Sequence, residues 1–174
     1  TPSATAGSAY IPTSEETMRW RLIVPVVTVA ALIALAAVVR GQPTGLPEGL
    51  TILGEPVTVE QVALGRTVYA ENCASCHGAN LEGQPDWKRR LDNGRMPAPP
   101  HDESGHTWHH SDKALFRITK GGLGAVVPDY ESDMPAFGSK LSDEEIAAVL
   151  AYIKSTWPDR PRAYQAERSQ DDPL

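Results

Sequence analysis

The sequence predicts an all-α protein: a domain of short helices preceded by one N-terminal transmembrane helix. Three observations predict it. Residues 22–39 read LIVPVVTVAALIALAAVV, eighteen positions with no charge and one hydroxyl. Three later runs carry helix signals behind Thr58, Ser111 and Ser142, residue types that cap helix starts. No run alternates apolar and polar residues for long enough to read as a strand.

The elements follow in order. Residues 1–18, rich in Ser, Thr, Ala and Pro, read as a polar N-terminal tail. Residues 19–40 read as the anchor. Eighteen helical residues span about 27 Å, close to a bilayer core of about 30 Å. Arg19, Trp20 and Arg21 flank one end and Arg40 the other, as interfacial residues do. A cleaved secretory signal would have a shorter apolar core, about 7–15 residues. A helix buried in a soluble core would keep some polar face, and this run has none.

Residues 41–56 hold three prolines and four glycines and read as a tether. The soluble domain is assigned to residues 57–157. Its first helix, VTVEQVALGRTVYAEN, has Val59, Val62, Ala63 and Tyr69 on its expected apolar face, and Thr58 with Gln61 fits a capping box. Residues 78–110 lack either periodicity and are rich in Gly, Pro, Asp and His, so a long loop is expected there to cover or do something. Ser111 opens a short helix that Gly121 and Gly122 end. Ser142 with Glu145 forms a second capping box, followed by an apolar stripe of Ile146, Val149, Leu150 and Ile153 that Pro158 stops. Residues 158–174 read as a polar C-terminal tail.

Charge and cysteine count narrow the task. The formal net charge is -6, and residues 41–174 carry 13 basic and 20 acidic residues. Nucleic-acid binding therefore has no electrostatic footprint. Two cysteines cannot make a disulfide framework. Both lie in ENCASCHG, residues 71–78.

Cys73-x-x-Cys76-His77 is the attachment signature of a c-type haem. Each thiol adds to one porphyrin vinyl group, and a two-residue gap lets one backbone turn reach both. The histidine directly after the second cysteine is then placed as proximal iron ligand. A zinc site would need further thiols or well-spaced histidines, and a redox dithiol commonly sits in a βαβ context. One covalent haem c is the expected cofactor. It would also supply the core that so small a set of helices lacks.

From about Val57 to Trp157 the chain resembles a class I cytochrome c. The resemblance rests on a helix entering Cys-x-x-Cys-His, a loop, a short helix, a methionine-bearing loop and a final helix. Gly65 and Tyr69 match the family's helix contact, Tyr152 matches an aromatic of the last helix, and MPAFGSKLSDEEI is similar to the distal-ligand segment. The resemblance implies His/Met ligation. Met18 precedes the anchor. Met134 stands 57 residues after His77, with room for a loop to cross the far haem face. Met96 stands only 19 residues after it, in a stretch that lines the proximal side in the family. Met134 is therefore the expected sixth ligand. A carbonyl from Pro97, Pro99 or Pro100 is expected to accept the His77 Nδ1 proton. His101, His106, His109 and His110 read as a polar loop at the haem edge, with Trp108 packing there, rather than as a second metal site. Lys88, Arg89, Arg90 and Arg95 read as a solvated loop rather than a docking patch.

Haem attachment outside the cytoplasm would put residues 41–174 in the periplasm and the N-terminus in the cytoplasm, a single pass of the inner membrane. With both axial positions filled, the expected task is outer-sphere electron transfer rather than catalysis. The expected protein is a membrane-tethered carrier or subunit between a quinol-oxidising complex and a terminal oxidase or photosynthetic reaction centre. No small-molecule substrate is expected. The alternatives are the haem subunit of a periplasmic dehydrogenase and a haem-based sensor.

Overall fold

A computed structural model describes residues 45–172. The tail 1–18, the anchor 19–40 and the start of the tether lie outside the described residues. Among the described residues no helix is long and apolar enough to cross a membrane.

The chain enters through a small hairpin. Thr51–Ile52 (β1) pairs antiparallel with Glu55–Pro56 (β2), Thr51 opposite Pro56 and Ile52 opposite Glu55. Both turn residues, Leu53 and Gly54, have positive φ, as a tight two-residue hairpin requires. Residues 51–56, read from the sequence as part of a tether, thus form a hairpin instead. Leu50 and Ile52 are buried, and Ile52 joins the main core. Two apolar side chains outweigh the Gly/Pro content around them, and the folded unit begins near Gly45.

Five helices follow. Val59–Asn72 (α1) is capped by Thr58, whose Oγ1 accepts from the Gln61 N–H at 3.1 Å. Its buried face is Gly65, Val68 and Tyr69, while Val59 and Ala63 are exposed, so the core-facing stripe is rotated from the one expected. Ala74–His77 (α2) is a single turn. Asp112–Gly121 (α3) starts at Ser111 and stops at Gly122, as the sequence indicates. Asp143–Ser155 (α4) has the complete capping box. Ser142 Oγ accepts from the Glu145 N–H at 3.2 Å, and Glu145 accepts from the Ser142 N–H at 2.8 Å.

Gly65 is where α1 crosses α4. A Cβ there would stand 1.9 Å from the Ala148 carbonyl oxygen and 2.9 Å from the Tyr152 Cβ, so only glycine lets the backbones approach this closely. Val68, Tyr69, Ile146, Val149, Leu150, Ile153 and Trp157 form the core around the crossing.

The C-terminal segment departs most from expectation. Asp159–Gln170 (α5) is helical, and Pro161 and Gln165 are buried. It docks through polar atoms together with Pro161 and Tyr164, too few apolar residues to make a stripe. Gln165 Nε2 donates to Asp112 Oδ1 at 2.6 Å, and the Asp112 N–H donates to Ser169 Oγ at 3.0 Å. Lys154 of α4 donates to both Asp112 oxygens, at 2.9 and 3.2 Å, and the Leu53 N–H donates to Asp112 Oδ2 at 2.9 Å. One carboxylate thus ties the hairpin, α3, α4 and α5 together.

Candidate cofactor site

The end of α1 delivers the Cys pair. Cys73 closes α1, its N–H donating to the Tyr69 carbonyl at 2.9 Å, and α2 turns immediately after it. Residues three apart on one helical turn lie on one side, so Cys73 and Cys76 share a face. Tyr69 braces the turn from below, its hydroxyl donating to the Gly78 carbonyl at 2.8 Å. Burial holds that phenol above its ordinary pKa, so it remains a donor. Gly78, at φ 83°, supplies the left-handed residue that ends α2.

Neither cysteine is in a disulfide. Burial, then the neighbouring Cys76, pushes the Cys73 thiol up to about 11. A dithiol oxidoreductase needs the opposite, an acidic thiol that ionises near neutrality.

His77 is buried, and its Nδ1 lies 2.8 Å from the Pro99 carbonyl oxygen. A carbonyl only accepts, so Nδ1 carries the proton and Nε2 keeps its lone pair for a metal. Burial holds this imidazole below its ordinary pKa, with the Pro99 bond partly opposing. Of the three prolines weighed from the sequence, Pro99 is the partner. The loop presents that carbonyl by folding on itself. The Gln84 N–H donates to Ala98 O at 2.9 Å and the His101 N–H to Leu81 O at 2.8 Å. Gly83 lies against this segment; a Cβ there would be 2.4 Å from the Pro100 nitrogen.

The Cys73–His77 turn and the Pro99 segment border a cavity of about 550 Å³. Cys73, Cys76 and His77 contribute to its wall, with Leu115 and Ile118 of α3 and Val149, Leu150 and Ile153 of α4. Both Met96 and Met134 reach it, and Met134 also packs against the core. The loop after Met134 is pinned to α3, the Phe137 N–H donating to Thr119 O at 3.0 Å and the Gly138 N–H to Lys120 O at 2.9 Å. Two thiols on one face, a neutral imidazole with a free Nε2, two thioethers and an apolar wall suit a covalently held haem.

The histidines do not form one polar loop. His101 is core. Its ring stacks on His77 with centroids 3.9 Å apart, its Nδ1 lies 2.8 Å from Thr107 Oγ1, and its carbonyl accepts from Trp157 Nε1 at 2.7 Å. Burial keeps it well below its ordinary pKa. The sequence offered only its adjacency to Pro99 and Pro100 as a sign of this. His106 and His110 line the cavity, with His106 stacked on Trp87. Trp108 is elsewhere: it stacks on His109, meets Tyr164 edge-on and donates to Glu103 O at 3.3 Å. Among the described residues, no group of three or more His, Cys, Asp or Glu side chains is placed to hold a metal ion.

The cytochrome c family model matches residues 62–157, more than half of the chain. The chain belongs to the cytochrome c family. The described domain has that family's mostly helical fold, and membership implies covalent haem c and electron transfer. Cytochrome c6 of Picosynechococcus sp. is 31% identical over 101 residues, 58% of this chain and 77% of that protein. Cytochrome c-555 of Prosthecochloris aestuarii is 31% identical over 103 residues, 55% of this chain and 89% of that protein. The Cbb3-type cytochrome c oxidase subunit CcoP of Rhodobacter capsulatus is 29% identical over 106 residues, 61% of this chain. The match spans only 33% of that subunit's own length.

Proposed function

We propose that this cytochrome c is a membrane-tethered one-electron carrier or electron-transfer subunit with a single haem c. Cys73 and Cys76 would hold the haem covalently, and His77 and Met134 would ligate its iron. The observation that carries the reading is the cavity that brings the Cys73–His77 turn and Met134 together, with His77 oriented by Pro99. Bound there, the haem supplies the one-electron couple, and a thioether ligand favours its reduced state. The chain's own part would be to fix the His77 tautomer, supply the Met134 sulfur and exclude water with the α3 and α4 side chains. With His77 and Met134 both committed to the iron, no place for a substrate would remain, and the domain would serve electron transfer rather than catalysis.

Residues 22–39 would anchor the chain with its N-terminus in the cytoplasm and its haem domain in the periplasm. A tether raises the effective concentration of the domain at a membrane partner. Similarity to an oxidase subunit favours an integral-membrane oxidase as that partner, with a quinol-oxidising complex as donor. Similarity to cytochrome c6 keeps the mobile-carrier form of the reading in play.

The test is the visible spectrum of the full chain, oxidised and reduced. The reading requires a c-type α-band on reduction, the weak far-red band of a thioether on ferric haem, and no CO binding. Met134→Ala should remove the far-red band and admit CO, and Met96→Ala should do neither. A high-spin ferric spectrum and ready CO binding in the unmutated protein would overturn the carrier reading and favour a sensor or catalyst. Deleting residues 22–39 should move the protein from the membrane to the soluble fraction.

A further inference from the structure

The segment that leads into Met134, unlike the loop after it, has few ties of its own. Residues 123–132 are held by local bonds: the Val127 N–H to Leu123 O at 2.9 Å and the Tyr130 N–H to Val127 O at 3.3 Å. Among the described residues, the side-chain hydrogen bonds and ion pairs that leave residues 128–134 go to Arg95, and just beyond them Phe137 and Gly138 bond to α3. Its guanidinium pairs with Asp133 and lies 3.9 Å from Glu131. Arg90 adds a second contact, its guanidinium 5.9 Å from the Tyr130 ring centroid.

The donor side is ordered. The Leu91 N–H donates to Arg95 O at 2.9 Å, and the Arg95 N–H donates to Asn93 Oδ1 at 3.0 Å. Arg90 donates to Gly94 O at 2.7 Å across the same turn. Three of the four cations in this basic run also touch the chain itself: Lys88 lies over the Trp87 ring, and Arg90 and Arg95 make the contacts above. Arg95 and Asp133 also hold matching places. Each immediately precedes a Met-Pro pair whose methionine lines the cavity.

We propose that Arg95, through Asp133 and Glu131, is a positioning residue that keeps Met134 at the sixth coordination position. The inference rests on Met134 being the axial ligand. A neutral thioether is a weak ligand, and it stays bound only while its loop stays closed. The ion pair bridges the loop that carries Met134 to the turn that carries Met96. Arg95 and Asp133 side chains are 38% and 57% exposed, so the pair is screened and its contribution is modest. It need only bias a local opening.

An external ligand reads that opening directly. Imidazole can reach ferric iron only when Met134 has left, so its apparent affinity scales with the open fraction. The experiment titrates imidazole into the ferric holoprotein and follows loss of the far-red band. Arg95→Gln and Asp133→Asn should each tighten apparent imidazole binding by about two- to fivefold, the range of an exposed pair. The double variant should go no further than Arg95→Gln alone, and Arg95→Asp with Asp133→Arg should restore part of the lost resistance. Arg89→Gln, an exposed cation on the same loop, should leave the affinity unchanged. Should Arg95→Gln not fold, Asp133→Asn and Arg95→Lys carry the same comparison. Unchanged affinity in Arg95→Gln and Asp133→Asn, or effects that multiply in the double variant, would overturn the proposal while Met134→Ala still removes the band. A band that survives Met134→Ala would overturn the ligand reading and the proposal with it.

Discussion

Lys154→Met should be among the most damaging single changes outside the cofactor cavity. Lys154 and Asp112 side chains are 4% and 5% exposed, and the ammonium sits 2.9 and 3.2 Å from the two carboxylate oxygens. Methionine keeps the stem and its packing but removes the countercharge. Asp112 is then a buried anion with only neutral donors left, the Gln165 amide and the Leu53 N–H. Breaking a buried pair from one side costs about 3–5 kcal/mol. The two remaining donors place this case toward the low end. For a folded unit of this size that is a fall in Tm of about 10–15 °C. Guanidinium denaturation of the haem-loaded protein, with slopes compared, measures it. Adding Asp112→Asn should recover at least about 1 kcal/mol, because no buried charge then remains. A Lys154→Met variant within about 1 kcal/mol of the parent would refute the claim that this pair is buried and coupled.

Two further predictions concern the helix crossing and pH. Gly65→Ala should destabilise by about 3 kcal/mol or more and lower the yield of haem-loaded protein, since a Cβ would fall 1.9 Å from a backbone oxygen that cannot move alone; a melt close to that of the parent would contradict the crossing. His106 and His110 are both held below their ordinary values, first by burial and then by neighbouring charges. Above about pH 6.5 both imidazoles are neutral folded and unfolded. As pH falls through that value the unfolded chain takes up protons that the fold excludes, so stability drops toward the lowered folded values. Denaturation at about pH 7.5 and 5.5 should show the loss, and His106→Gln with His110→Gln should reduce it.

The legible parts of the fold were those written in local chemistry. Thr58, Ser111 and Ser142 cap three helices at the expected places, because a cap is decided within four residues. The Cys73–His77 turn was legible because haem attachment demands adjacency. What escaped depends on distant partners. Ile52 looks like part of a Gly/Pro tether until the core it enters is known. His101 stands among three other histidines, and only its stacking on His77 separates it from them. The α1 face drawn by hydrophobicity leaves out Gly65, and only the family resemblance marked the contact that Gly65 makes with α4. Arg95 was read with its basic neighbours, while its partner lies 38 residues away.

Helix α5 was the largest miss, and it yields the sharpest test of how the domain is held. By composition DRPRAYQAERSQ is a solvated tail. It is ordered because Gln165 and Ser169 complete the hydrogen bonding of Asp112, whose own helix carries Leu115 and Ile118 into the cavity wall. Ending the chain after Trp157 should therefore open the Asp112–Lys154 pair to water. An ion pair in water is worth about 0–1 kcal/mol, against the several kcal/mol lost when a buried one is broken from one side. So Lys154→Met, costly in the full chain, should cost about 1 kcal/mol or less in the shortened one. The comparison is four denaturation curves, with and without α5 and with and without Lys154. Equal costs in both backgrounds would mean that α5 does not bury the pair and that the pair's burial comes from the α3–α4 contact alone. A cost that collapses on truncation would show that α5 creates the dry site in which one carboxylate can join four elements.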